Sequence, residues 1–351
     1  WRDAAGATHR RDADPATAEV LPDAGTLGGT GFIFPFHFHL HITWQRVGYW
    51  IVGLAGMAML ALIVSGVVIH ARIFRDFFLL RTGRKAQRTA LDLHNVSGVL
   101  GLPFHFVITL SGLVIFFSIY FAPSANTAFG GDRAAAAREI FGIYSRPAAG
   151  APASERASLD AMAAGAERHW GDGARAYFVR VWHPGDAASY VEVRRSHADA
   201  VAMNLDLVYF DGATGAVLHT HTAPPVMHAQ RVVSGLHFIQ FRHWTLRWAY
   251  FGLGLLGCAL IATGFLFWVE SRRKRHAALG LRGVRVVEGL AVGAVAGIVL
   301  ATAAFLVANR VLPARLPGRA GWEMAAFYAV WAAAFAHAWA RPGAAWREQC
   351  W

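Results

Sequence analysis

Five apolar runs, at about 46 to 69, 95 to 120, 246 to 269, 285 to 308 and 322 to 340, each reach the roughly 18 residues that read as a membrane span. With 55% of 351 residues hydrophobic, the expectation is a mainly α membrane protein built as a bundle of transmembrane helices. A hydrophilic insert, 121–235, separates the second run from the third and is long enough for a small extracytoplasmic α+β domain.

Basic residues set the orientation. Arg72, Arg75, Arg81, Arg84, Lys85 and Arg88 follow the first span, and Arg272, Arg273, Lys274, Arg275, Arg282 and Arg285 follow the third. The positive-inside rule places both clusters in the cytoplasm and the insert, with ten Arg against eleven acids, outside. The net charge of +11 is thereby topological, and no nucleic-acid partner is called for. Arg310, Arg315 and Arg319 run against this alternation in the last hairpin. The same alternation puts residues 1–40 outside, as the tail of an outer domain or a linker, and so requires a membrane helix before Trp1. Cys258 and Cys350 lie in or inside the membrane, where a structural disulfide is not expected.

Asp92 to Phe117 organises the remainder. Read as one straight helix, it places His94 and His105, eleven residues apart, on one face, because eleven steps exceed three turns by roughly 20° and rise about 16 Å. Boundary solvation or a hydrogen bond to a neighbouring helix would explain either imidazole alone. Ionisable groups inside a membrane nevertheless point to function, and two ligand-capable groups in line point to stacked cofactors. Phe36 to His41, FHFHLH, adds His37, His39 and His41, as a strand or with His37 and His41 on one helix face. They are either a solvated interfacial belt or ligands of a metal or haem. His70 ends the first span, where water or lipid phosphate would serve it as well as a metal.

The third span repeats the first at an offset of 198. Gly66 matches Gly264, Ser65 matches Thr263, Trp50 matches Trp248 and His39 matches His237, which implies a pseudo-symmetric bundle in which His39 and His237 could face each other. Within the insert, a helix over 158–170 precedes strands over 176–182, 189–194, 205–210 and 217–220, with a turn at Asp211 to Gly215. His219 and His221 share a strand face, but the insert's histidines read mainly as surface. Domain limits follow as 1–40, 41–120, 121–235, 236–270, 285–340 and 341–351.

Several stretches together resemble the PepSY-associated transmembrane proteins, iron-regulated inner-membrane proteins that include ferrisiderophore reductases. They are Thr26 to Gly29 (TLGG) running into FHFHLH, Ser65 to Phe78 (SGVVIHARIFRDFF) and Asp92 to His105 (DLHNVSGVLGLPFH). Val208 to Leu218 (VYFDGATGAVL) and Leu236 to Phe251 (LHFIQFRHWTLRWAYF) complete them. The resemblance implies a four-helix core with periplasmic PepSY modules, one of them and the first helix lying before Trp1. It further implies b-type haem on helix histidines and electrons passed outward to a ferric siderophore or other ferric chelate. Two haems per full-length chain are expected. One uses His94 with His70 or the preceding helix, the other His237 with His39 or His41, while His105 either binds a haem or orients a ligand. No nucleotide or flavin motif is present, so the donor is a quinol or a soluble reductase. Two other readings compete. A membrane-anchored PepSY module restraining a peptidase or sensing periplasmic signals would hold no haem. A metal permease would need acidic or histidine residues along its path, and before Glu323 the spans contain a single acid, Glu288, near the start of the fourth.

Overall fold

The computed structural model describes residues 9, 11–70, 72, 74, 86–120, 126–153 and 155–350. Most of the first basic cluster and most of the SGVVIHARIFRDFF stretch after His70 lie outside the described residues. The chain divides into two compact units, residues 1–52, 75–97 and 258–351 in one and 53–74 and 98–257 in the other.

Helix α1 (Gly28–His39) precedes the long α2 (Val47–Ile69). Helices α3 (Ala86–Leu100) and α4 (Leu102–Ile115) follow, then α5 (Arg133–Phe141). The α+β domain consists of α6 (Leu159–Trp170) and strands β1 (Ala176–Trp182), β2 (Tyr190–Arg195), β3 (Leu207–Asp211) and β4 (Val217–His221). After it come α7 (Pro225–Phe238), α8 (Trp244–Ala278), α9 (Gly283–Val311) and α10 (Arg319–Ala340).

Three helices, Trp44–Ile69, Trp244–Ala278 and Gly283–Val311, are long and apolar enough to cross a membrane. They leave large apolar side chains such as Leu62 and Val68 more than 70% exposed, as a lipid-facing surface requires. Two of the five expected spans differ. Helix α10 has 22 residues but falls short of that apolarity, and it carries Arg319 and Glu323.

The other difference is in the organising stretch, which is not straight. Helices α3 and α4 meet at Gly101 with a bend of 68°. Pro103 has no N–H to bond the Val99 carbonyl and its ring crowds the preceding turn, so the helix restarts one residue later, with His105 N–H bonding Gly101 O at 2.7 Å. His94 and His105 therefore sit on differently directed helices, and the shared-face argument fails. Of the second basic cluster, Arg272 to Arg275 continue α8, with Arg273 bridging Glu270 and the buried Glu288 at 2.9 Å each.

In the first unit, Phe32 of α1 is 1% exposed, stacks on Phe305 of α9 (4.2 Å) and meets the tilted ring of Phe327 of α10 (4.8 Å). Helix α1 has no side-chain cap of its own. Glu323, fully buried on α10, replaces it, accepting from Thr26 Oγ1 at 2.7 Å and from Leu27 N–H at 3.4 Å. A carboxylate there meets both the unpaired amides and the positive end of the helix dipole. Asn309 donates to the same carboxylate at 3.1 Å, and Arg319 approaches it to 3.2 Å. The C-terminal hairpin, whose sequence carries no visible chemistry, thus fixes the helix that bears His37 and His39.

In the second unit the four strands pair antiparallel in the order β1-β2-β3-β4, and α6 covers one face. Alternation explains the packing: Val191, Val193, Val208 and Phe210 point to Met162 and Ala166, while Tyr190, Leu207 and Tyr209 point away. Segment Gly142 to Arg146 crosses that second face, with Tyr144 against both tyrosines. Burial and the neighbouring Glu192 carboxylate push the Tyr209 phenol up to about 12. His219 stacks on Tyr144, and a Cβ at Gly142 would meet the His221 ring at 2.0 Å, so both histidines are packing groups.

Asp211 closes the β3–β4 turn by accepting from the Thr214 and Ala213 amides, and Arg146 reaches its other oxygen at 2.9 Å. The Thr214 amide above all, with the Arg146 guanidinium, holds its carboxyl at about 2, against an ordinary 3.8. The lowered value means that this stabilisation, about 2 kcal/mol, is complete above the unfolded value and is lost as pH falls from about 4 through 2. Asp211→Asn is expected to destabilise the domain near neutrality and to flatten its acid unfolding limb in that window, followed by tryptophan fluorescence of the intact chain.

Candidate functional site: three imidazoles set against helix glycines

The repeat seen in the sequence has a local structural counterpart. Helices α1 and α7 both end in a left-handed residue, Leu40 and Ile239, each with φ 54° and each bonding back to the carbonyl four residues earlier. A long apolar helix follows each after a few residues. His39 and His237 both occupy the last turn of the short helix.

His94, on α3, lies against Gly264 of α8, where a Cβ would come within 3.0 Å of its Cε1. Its Nδ1 is 2.9 Å from the carbonyl of Leu260, four residues before that glycine. His237, on α7, lies against Gly112 of α4, where a Cβ would meet its Cε1 at 2.8 Å, and its Nδ1 is 2.9 Å from the carbonyl of Ile108, again four residues earlier. A hydroxyl residue precedes each glycine: Ser111 donates to the same Ile108 O at 3.1 Å, whereas Thr263 donates to Ala259 O at 2.6 Å and reaches Leu260 O only at 3.3 Å. A helix carbonyl retains a second lone pair after its intrahelical bond, and a side chain at the fourth residue along would cover it. Glycine uncovers it for the imidazole.

A carbonyl only accepts, so the ring nitrogen facing it carries the proton, which fixes His94 and His237 as Nδ1–H tautomers with the lone pair on Nε2. In His94 that Nε2 has no hydrogen bond among the described residues. Orienting one ring nitrogen by a backbone carbonyl and presenting the other is how metal-ligating histidines are held.

His105 follows the pattern with a change. It is 2% exposed, wedged between Gly101 and Gly257, and its Nε2 is 3.4 Å from Leu253 O, four residues before Gly257. Leu256 stands where the other two sites have a hydroxyl. The lone pair falls on Nδ1, which is buried and has no partner. An orphaned nitrogen of this kind fits a ligand to a metal-bearing group. The residues present thus fit haem iron, with His94 offering Nε2 and His105 Nδ1.

The remaining histidines divide. The helix-face pairing of His37 with His41 is corrected: Leu40 and His41 both have positive φ, which carries His41 off the helix. Its Nε2 bonds Phe32 O at 2.8 Å and its ring stacks on Phe32, which makes it part of the packing. His39 keeps an orphaned Nδ1 and lies 5.2 Å from the Tyr49 ring and 5.7 Å from the His41 ring. His37 and His70 are exposed. Among the described residues no three His, Cys, Asp or Glu side chains converge as a metal site.

Sequence reasoning missed the glycines as the counterparts of the histidines. The Thr263-Gly264 pair was visible, but as a site of close helix approach. Gly66, its partner in the repeat, has nothing within 4 Å.

A span-bearing helical scaffold with an antiparallel α+β domain defines a multi-pass membrane protein. The sequence profile of the PepSY-associated TM region matches residues 1–271, and the chain belongs to that family. It is also 31% identical over 314 residues, 84% of this chain and 76% of the relative, to the uncharacterized protein PA4219 of Pseudomonas aeruginosa.

Proposed function

We propose that the protein is a haem-containing reductase of the bacterial inner membrane that passes electrons outward to a periplasmic ferric chelate. The observation that carries this reading is the threefold arrangement in which His94, His105 and His237 each rest on a glycine of a facing helix with one ring nitrogen at its uncovered carbonyl. The same contact made three times supports a device for orienting imidazoles over chance packing of single histidines.

Bound haem supplies a one-electron Fe(III)/Fe(II) couple at low reorganisation cost. The chain's part is to orient the imidazoles and to surround them with apolar helices, which set the potential through ligand basicity and exclusion of water. The donor is a quinol or a soluble reductase, and the acceptor a ferric siderophore or related chelate.

A reduced-minus-oxidised visible spectrum of the purified full-length protein tests this, with haem counted per chain. Split α bands of b-type haem near two equivalents are expected. Prereduced protein in oriented membranes should then be reoxidised by a ferric chelate added on the side of the α+β domain. A colourless protein would instead favour the haem-free PepSY regulatory module.

A further inference from the structure

We propose that an open pocket in the second unit, of about 470 Å³, is the docking site for an anionic, carboxylate-bearing ferric chelate, held by Arg242 and Arg247. The inference rests on the reductase reading and adds to it the place and the charge class of the acceptor. Tyr177 of β1, His197 beyond β2, and the α7–α8 turn with Gln240 and Arg242 form its walls, and Arg247 enters from the first turn of α8. The volume lies in the range of small-molecule sites.

The pocket brings together two arginines that no carboxylate neutralises. In the same unit Arg146, Arg175, Arg194 and Arg195 each pair with one. Arg242 and Arg247 have no such partner among the described residues, and no acid lines the pocket. Both are held in place all the same. The Arg242 amide donates to Ala198 O at 2.7 Å, and the Arg247 guanidinium lies 4.7 Å from the centre of the Trp244 ring. Two forked, permanently charged donors beside Tyr177, His197 and Gln240 suit a ligand that presents carboxylate oxygens around a compact centre. Phe238 and Ile239, which follow His237 directly, complete the lining, so the ligand would rest on the chain segment that carries a ligand-capable imidazole.

Lipid phosphate is the other anion within reach of a residue in the first turn of a spanning helix, and the test separates the two. Gallium(III) citrate, which has the charge and coordination of the ferric complex but accepts no electron, is titrated against the full-length protein in nanodiscs of zwitterionic lipid. Tryptophan fluorescence reports binding, since Trp244 lies under Arg247. Binding that weakens with salt and exceeds that of neutral gallium tris(acetohydroxamate) by about tenfold or more is expected. Arg242→Gln with Arg247→Gln should lose about tenfold or more, at unchanged haem content, while Arg247→Lys retains part. Unchanged gallium citrate affinity in the double variant overturns the site, as does equal binding of the neutral complex. Loss of co-purified anionic lipid without loss of citrate binding assigns the arginines to headgroups and overturns it too. A haem-free protein that still binds gallium citrate through these arginines would sink the reductase reading and leave the docking site standing. A haem-replete double variant that reduces ferric citrate normally would do the reverse.

Discussion

His94→Ala and His237→Ala are each expected to remove one haem from the full-length protein and leave the other, and the double variant should retain none that these residues hold. Each imidazole is oriented by a carbonyl on a different facing helix, Leu260 O for one and Ile108 O for the other, so the two losses should be independent. A haem count by the pyridine haemochrome on detergent-purified protein reads the result. A stronger form of the test leaves the histidine in place. A Cβ at Gly264 would lie 3.0 Å from His94 Cε1 and 3.1 Å from its Nδ1, and valine adds two further carbons in a position where the glycine leaves none. Gly264→Val should therefore displace the imidazole and copy His94→Ala in haem content, while Gly252→Val on the same helix, where nothing lies within 4 Å, should not. If both glycine variants keep full haem, the glycine–imidazole contact is packing and has no part in the site. Ser111→Ala removes the hydroxyl that shares the Ile108 carbonyl with His237. It should keep both haems and move one midpoint potential, because the basicity of the imidazole follows the strength of its Nδ1–H bond.

How far the sequence carried the architecture depends on what kind of signal each element left. Strand β1, Ala176–Trp182, was legible to the residue because alternation and the flanking turns Gly171 to Gly173 and Pro184 to Gly185 bound it on both sides. The turn at Asp211 was legible because Asp-Gly-Ala-Thr-Gly has little else it can form. The bend at Gly101 was written in the sequence as Gly-Leu-Pro and was overridden by the apolar run around it, since hydropathy carries no information about direction. Helix α1 was ambiguous for a different reason: FHFHLH alternates like a strand, and what makes it helical lies about 270 to 300 residues away, in Phe305 and Phe327 packing on Phe32 and in Glu323 capping its start. The histidines themselves were evident by chemistry. Their partners were not, because a glycine that uncovers a carbonyl has the same appearance in a sequence as one that lets two helices touch.

His105 is the residue on which the two kinds of reading now converge, and His105→Ala is expected to cost the protein a haem. The earlier ground for it, alignment with His94 on one helix, is gone with the 68° bend. A different ground replaces it. The imidazole is 2% exposed between Gly101 and Gly257, its Nε2 is spent on a long contact of 3.4 Å to Leu253 O, and its Nδ1 is buried with no partner. Leaving a polar nitrogen unsatisfied in an apolar interior costs about 1–3 kcal/mol, whereas a leucine in its place would cost nothing of the kind. Something must satisfy that nitrogen for the site to make sense, and under the proposed function a metal-bearing cofactor would do so. If His105 is a ligand, His105→Ala loses a haem outright and added imidazole restores its Soret band. If it only orients another ligand, both haems stay and one potential moves. If haem content, both potentials and reduction by the donor all remain those of the wild type, the imidazole is a packing group. His105→Leu, which fills the space without a polar atom, should then stabilise the bundle against detergent denaturation, a gain that a ligand to iron could not show.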